Sequence, residues 1–298
     1  MARLPRIPPA YAALAVGVFC IGTSAIFVKL AGVPGVVSAF YRVFIALLAL
    51  LPLGLRQHVS IRMERRAWGL IVLSSLFFAG DLVLWNTSIL LTTAAAATLL
   101  ANNAPLWVGL GALLIFRERL PPVYWVGLLV ALVGMTVIVG GDALSELRFN
   151  TGDLLAIGAS FLYAGYMLTT QKARGRFSTL TLNLLTMAAC ALILLPLTLF
   201  SGASLSGLST HVWLALLGLG LVPQFLGWLA INYALGHLPA ARVSVTLLGQ
   251  SVVTAILGFF LLGEALSPAV LVGGLLVLTG IYLVNQRVRP SGDYTKHA

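Results

Sequence analysis

Polar side chains are scarce in this sequence, and those that interrupt its apolar runs recur at helical spacing. Gln224, Trp228 and Asn232 stand at i, i+4 and i+8, a step that puts an amide, an indole and a second amide on one helix face. Phe78, Asp81, Trp85 and Ser88 form another stripe, and so do Tyr163, Tyr166 and Thr170. Thr246, Gln250 and Thr254 make a fourth, Thr98 and Asn102 (with Asn103 adjacent) a fifth, and Thr23, Ser24 and Phe27 lie close together near the N-terminus. Amides, hydroxyls and rings of this kind hold a neutral or zwitterionic small molecule by hydrogen bonds and ring contacts. The candidate substrate-binding residues are therefore Trp228, Gln224, Asn232, Trp85, Asp81, Tyr163, Tyr166, Asn102, Gln250, Ser24 and Phe27.

Each has a plainer structural reading. Ser and Thr in apolar helices commonly bond their own backbone. Asn and Gln act as interhelical glue, a role that fits Asn86 and Asn232 as well as substrate contact does. Trp85 and Tyr163 would suit an interfacial aromatic belt, although both fall deep in their runs. Arg42 can meet a carboxylate or a helix carbonyl end, and the structural role is favoured. Asp81 can carry a proton or contact an ammonium group; alternatively it sits in the cytoplasmic-to-middle third of its helix and pairs with a neighbour. Pro105 and Pro223 are candidate hinges, because an interior proline removes a backbone hydrogen bond and clashes with the carbonyl four residues back.

No catalytic constellation appears. His58, His211, His237 and His297 are not paired with acids at metal-ligand spacing, and Cys20 and Cys190 lie inside apolar runs. No GxxxxGK[ST] motif is present, which argues against a nucleotide drive. No catalytic residue, metal or cofactor is expected. The net charge of +10 would suggest nucleic acid only if its distribution were ignored.

The elements that carry these stripes are membrane helices. The chain has 298 residues, 60% hydrophobic and 9% charged, against roughly 25% charged in soluble domains. Its apolar runs are about 20 residues long, enough to cross a bilayer core. Ten spans are expected, at about 11–31, 35–55, 67–90, 93–116, 122–140, 153–171, 179–200, 211–235, 240–262 and 268–286. The short connections after spans 3 and 8 make antiparallel hairpins. With this count, 15 of the 18 Lys and Arg residues fall on one side, Lys29 and Arg148 on the other, and Arg42 within a span. The positive-inside rule then places both termini in the cytoplasm of a bacterial-type inner membrane.

The chain also repeats itself. Asn86 matches Asn232, Ala94-Ala95 matches Ala240-Ala241, and Glu118-Arg119-Leu120 matches Glu264-Ala265-Leu266. Pro122 matches Pro268, Gly127 matches Gly273, and Gly134 matches Gly280, every pair 146 residues apart. Each copy holds five spans, so the second is threaded upside down relative to the first. Inverted repeats of this kind are a construction of secondary transporters, with the site at the repeat interface near the midplane. The expected fold is thus all-α integral membrane, ten transmembrane helices in two inverted five-helix repeats. The expected units are a first repeat at 11–140, a non-cytoplasmic linker at 141–152, a second repeat at 153–286 and a short tail at 287–298.

TTAAAATLLANNAPLWVGLGALLIFRERLPPVYWVGLLVALVGMTVIVGG in spans 4 and 5, and INYALGHLPAARVSVTLLGQSVVTAILGFFLLGEALSPAVLVGGLLVLTGIYLV in spans 8 to 10, resemble the EamA-type repeat of the drug/metabolite transporter superfamily. IGTSAIFVKLA at 21–31, FYRVFIAL at 40–47 and GDLLAIGASFLYAGYM at 152–167 are similar to it as well. Phe116 replaces the usual glycine before Glu118, Ser251 stands opposite Pro105, and Ala265 opposite Arg119. The resemblance implies alternating-access transport of small metabolites, and within the superfamily the chain is most similar to inner-membrane amino-acid exporters. It also implies a cavity lined by spans 1, 3, 4, 6, 8 and 9, the ones richest in mid-span polar groups. Spans 5, 7 and 10 are expected at the periphery. The expected partners are a small-molecule substrate, amino acids or amphiphilic metabolites, and the lipid bilayer, with no nucleic acid and no required oligomer. A multidrug exporter of lipophilic cations is the nearer alternative, and a membrane enzyme or scaffold the farther one.

Overall fold

The structure, a computed structural model, describes residues 8–57, 65–92, 94–140, 150–262 and 267–286. The regular parts of these residues are helical, in ten rods. The first repeat holds α1 (Pro9–Gly22, resuming as Ser24–Ala31), α2 (Gly35–Arg56), α3 (Arg65–Leu91), α4 (Ala94–Ala101, resuming as Ala104–Leu114) and α5 (Pro122–Val139). The second holds α6 (Thr151–Arg174), α7 (Thr179–Phe200) and α8, which runs Thr210–Leu219, Gly220–Gly227 and Trp228–Leu235. It is completed by α9 (Ala240–Leu247, resuming as Gln250–Leu262) and α10 (Pro268–Asn285). The all-α membrane architecture expected from the sequence is the one observed. Eight rods contain windows long and apolar enough to cross a bilayer, and α4 adds the shorter apolar stretch Leu99–Leu114. The remaining rod, α6, is long at 24 residues but more polar, because much of it faces other helices. The linker residues 141–149, the tail from 287 onward, Glu264 to Leu266 and the side chain of Asn86 lie outside the described residues.

Helix starts follow local chemistry. Ser178, Ser209 and Ser267 accept a backbone N–H at the start of α7, α8 and α10, and Asn150 with Asp153 forms a reciprocal capping box on α6. Such caps satisfy donors that the first turn leaves open. Pro9, Pro122 and Pro268 open α1, α5 and α10, where a missing N–H costs nothing. Large apolar side chains such as Leu129, Leu192, Phe260 and Leu275 are exposed, which is the surface a bilayer requires.

The inversion is legible in the packing of α5 on α10. A Cβ added at Gly134 would come within 2.6 Å of the Gly273 carbonyl oxygen, and one at Gly273 within 2.6 Å of the Gly134 carbonyl oxygen. Gly127 and Gly280 oppose each other in the same way. Because Gly127 and Gly134 are the repeat mates of Gly273 and Gly280, the two helices run antiparallel about a local two-fold axis. Bare glycine lets the backbones approach this closely. The same exchange governs the interior, where α3 packs on α6 and α8 on α1, each across the repeats.

Two rods break at equivalent places. α4 is interrupted at 102–103 and α9 at 248–249, again 146 apart. Both breaks are tight turns: Asn103 N–H bonds to the Leu100 carbonyl at 3.2 Å and Gly249 N–H to the Thr246 carbonyl at 3.1 Å. Short stretches of this i to i+3 pattern mark hinges inside longer helices. They correct the expectation for Pro105. It does not kink a continuous helix against the Ala101 carbonyl; it sits in the first turn of the resumed segment, where proline is tolerated. Pro223 is inside α8 as expected, but within a wide-turn segment, Gly220–Gly227, of the i to i+5 type, which accommodates the lost hydrogen bond. α1 breaks at Thr23, and the freed Gly22 carbonyl accepts from the Thr254 hydroxyl of α9 at 2.8 Å.

Candidate substrate site

Four rings from three helices meet in the interior. Trp228 of α8 lies 5.1 Å from Phe78 of α3, 5.1 Å from Tyr166 and 6.0 Å from Tyr163, both of α6, each contact close to edge-on. Phe78 and Tyr166 are stacked at 4.6 Å. The positive ring edge of one partner meets the negative face of the other in the edge-on pairs. The periodicity of each helix delivers these rings: Gln224, Trp228 and Asn232 do share one face of α8, and the cluster forms at its middle member.

One turn either side of Trp228 the stripe makes polar contacts. Toward the end where α8 meets α9, Asn232 Nδ2 donates to Asn183 Oδ1 of α7 at 3.0 Å and to the Tyr166 hydroxyl at 3.1 Å. Arg174 at the end of α6 donates through Nε to the Asn232 carbonyl at 2.9 Å and through Nη1 to the Phe177 carbonyl. In the other direction, Gln224 Oε1 accepts from Arg42 Nε of α2 at 2.7 Å, and its Nε2 rests on Met187 Sδ at 3.1 Å. Asp81 and the Tyr163 phenol are the groups close enough to act electrostatically on Arg42. The two charges are neighbours without a direct salt bridge, since the guanidinium bonds to Gln224 instead.

Three buried donors are left over among the described residues: the hydroxyls of Thr170 and Thr186 and the indole N–H of Trp228. The Trp228 indole N–H is buried, at 3% residue exposure, and no protein group accepts from it. A buried unpaired donor costs about 1–3 kcal/mol, a cost that an acceptor arriving from outside the chain would remove.

The structure therefore unites Trp228, Gln224, Asn232, Tyr163 and Tyr166, with Asp81 reaching them through Arg42. It places the other candidates elsewhere. Asn102 lies at the break of α4, Gln250 opens the resumed part of α9, and Ser24 opens the resumed part of α1. Phe27 packs where a Cβ on Gly218 of α8 would stand. Trp85 is one turn beyond Asp81 on α3 and half-buried. Asp81 itself is sixteen residues into α3 and ten from its end, past the middle as counted from Arg65. The peripheral role expected for span 7 is wrong. α7 supplies Asn183, Met187 and Cys190, all buried and one or two turns apart. That stripe was visible in the sequence, but it carries one amide among otherwise soft side chains and does not stand out from an apolar run.

Two cavities lie at the bundle ends rather than at Trp228. One of about 390 Å³ is bordered by Pro34, Thr87 and Gly202, and one of about 310 Å³ by Glu118, Tyr124 and Arg242. Among the described residues no three His, Cys, Asp or Glu side chains group as metal ligands.

A helical membrane protein of two inverted repeats has the construction of secondary transporters. The chain belongs to the EamA-like transporter family, which matches residues 8–140 and 150–286. It is 28% identical over 272 residues to an uncharacterized transporter of Archaeoglobus fulgidus, covering 91% of this chain and 94% of that one. It is 30% identical over 212 residues to a probable terminal-alkyne amino-acid exporter of Streptantibioticus cattleyicolor, 69% of this chain and 68% of the relative. A riboflavin transporter of Vibrio cholerae is 28% identical over 201 residues, 66% of this chain and 65% of the relative. A crystal structure with 20% sequence identity superposes with a TM-score of 0.81, covering 93% of this chain and 96% of the other, a likeness of fold. The protein thus moves a small molecule across a membrane in which it is embedded by many helices.

Proposed function

We propose that the solute is a zwitterionic amino acid or close relative, exported across a bacterial-type inner membrane by alternating access, with both termini cytoplasmic. The observation that carries this reading is the trio of Arg42, Asp81 and Trp228. A guanidinium and a carboxylate stand near each other without a direct bond, the guanidinium bonds to Gln224 one turn before Trp228, and the Trp228 indole N–H has no acceptor among the described residues. An α-carboxylate suits Arg42 and the indole N–H, since Arg pairs with carboxylates through strong charge-assisted bonds. An α-ammonium suits Asp81. The side chain of the solute then meets Phe78, Tyr163 and Tyr166, which favours apolar or aromatic amino acids. The amino-acid exporter among the relatives supports the same class. The two repeats, at 11–140 and 153–286, exchange conformations around this site as inverted repeats do, with the paired breaks of α4 and α9 and the wide turn at Pro223 as hinges.

Solute counterflow in proteoliposomes tests the proposal with a panel of amino acids, in wild type and in Trp228→Ala. Saturable exchange that collapses in the variant supports it. Absence of exchange for every amino acid overturns it. The second reading, a lipophilic-cation exporter, draws on the ring cluster beside Asp81, because rings attract cations. It predicts drug resistance that depends on Asp81 with no amino-acid flux. The positive charge of Arg42 beside the same carboxylate weighs against it.

A further inference from the structure

We infer that the crevice between the α4–α5 turn and the start of α9 is a binding site for the headgroup of an anionic phospholipid. The crevice, of about 310 Å³, is bordered by Glu118, Arg119, Leu120, Tyr124, Arg242 and Val284 among others. Among the described residues, neither the Arg119 nor the Arg242 side chain has a hydrogen-bond or ion-pair partner. Glu118, the carboxylate of the crevice, instead accepts from Gln171 Nε2 of α6 at 3.4 Å. Gln171 Oε1 in turn accepts from the backbone N–H of Ala240, at the first residue of α9, at 2.6 Å. Two guanidinium groups thus share a small space with one carboxylate, leaving one positive charge, which is the complement of one phosphodiester.

Position identifies the source of that phosphate. Arg119 lies between the end of α4 and the start of α5, and Arg242 lies in the first turn of α9. Both are at helix ends, the depth of the headgroups. The flanking residues Leu113, Leu114 and Ile115 on α4 and Tyr282 on α10 are exposed apolar side chains, suited to acyl chains. Basic pockets between membrane helices recognise anionic headgroups in this way. The repeat supplies an internal control. Its offset maps Arg119 onto Ala265 and Arg242 onto Ala96, while Glu118 maps onto Glu264 and Pro122 onto Pro268. In sequence, the repeat thus keeps the glutamate and the proline of the crevice and does not keep the two cations.

The test is native mass spectrometry on detergent-purified protein, where the orientation of membrane insertion has no bearing. The protein is offered equal amounts of phosphatidylglycerol and phosphatidylcholine, and separately glycerol 3-phosphate. Wild type is expected to retain one phosphatidylglycerol in preference to phosphatidylcholine. Arg119→Gln/Arg242→Gln is expected to lose about 30-fold of that preference, given the contribution of each basic residue near an anionic surface. Should the double variant not be recovered, each single variant is expected to lose about fivefold. Arg56→Gln/Lys172→Gln removes the same charge elsewhere on that face and is expected to keep the preference. Equal retention of the two lipids, an unchanged double variant, or an equal loss in the control pair overturns the inference. So does binding of glycerol 3-phosphate as tight as that of the lipid, which would make the site one for a free phosphate.

Discussion

Arg42 on α2 donates its Nε–H to the side-chain oxygen of Gln224 on α8 at 2.7 Å, joining the first repeat to the stripe that carries Trp228. Removing the acceptor leaves a guanidinium group in the interior without its bond. Gln224→Leu is expected to destabilise the protein by about 2–3 kcal/mol, the worth of a hydrogen bond to a charged group. Gln224→Glu offers a carboxylate at the same place and is expected to preserve the fold while weakening solute binding. Thermal unfolding in detergent reads the first effect and counterflow the second.

Trp228→Phe separates transport from packing. The phenyl ring keeps edge-on contacts with Phe78 and Tyr166, and the unpaired N–H is gone. The smaller ring leaves a void in a buried place, so stability is expected to fall by about 1–3 kcal/mol, while the solute KM rises about tenfold from loss of one hydrogen bond to a charged group. An unchanged KM would remove the indole N–H from the binding site.

Glycine contacts give a steric prediction. A Cβ at Gly134 would stand 2.6 Å from the Gly273 carbonyl oxygen and from the Val277 nitrogen, both backbone atoms that cannot swing aside. Gly134→Val is expected to abolish a monodisperse peak in size-exclusion chromatography. Gly32 has φ +59° and open space around the missing Cβ, so Gly32→Ala is expected to cost only about 1–2 kcal/mol of backbone strain and to retain the peak.

Asn183→Leu tests the α7 contribution. It deprives Asn232 Nδ2 of one of its two acceptors in a fully buried setting. A loss of about 1–3 kcal/mol is expected, seen as a lower Tm in detergent, and Asn183→Asp is expected to recover most of it.

Most of the fold was legible from the primary structure because membrane crossing imposes a length and a composition, and because the two copies corroborate each other position by position. The stripe on α8 was legible for the same reason that helices are: Gln224, Trp228 and Asn232 share a period. What periodicity cannot supply is the partner across the gap. Arg42 reads as a structural charge until Gln224 is seen opposite it, and Asn183 reads as an isolated amide until Asn232 is. The break of α4 was also misjudged, since Pro105 has the same effect on sequence reading whether it bends a helix or begins one. Its repeat mate, Ser251, sits at an equivalent break without any proline, so the break is set by the surrounding packing.

The wide turn of α8 has no counterpart in the first repeat. Its repeat mate α3 is a continuous α-helix from Arg65 to Leu91, whereas α8 changes pitch over Gly220–Gly227. Two inverted halves that matched perfectly would trade places at no cost, and the states open to either side would be equally populated. With one half carrying an irregular rod, that degeneracy is lifted. A difference of only about 1.4 kcal/mol skews the resting populations tenfold, so under the alternating access proposed above the empty carrier would wait with one door preferentially ajar. The final gradient it sustains is untouched by that bias, but the side from which it first picks up cargo is set by it.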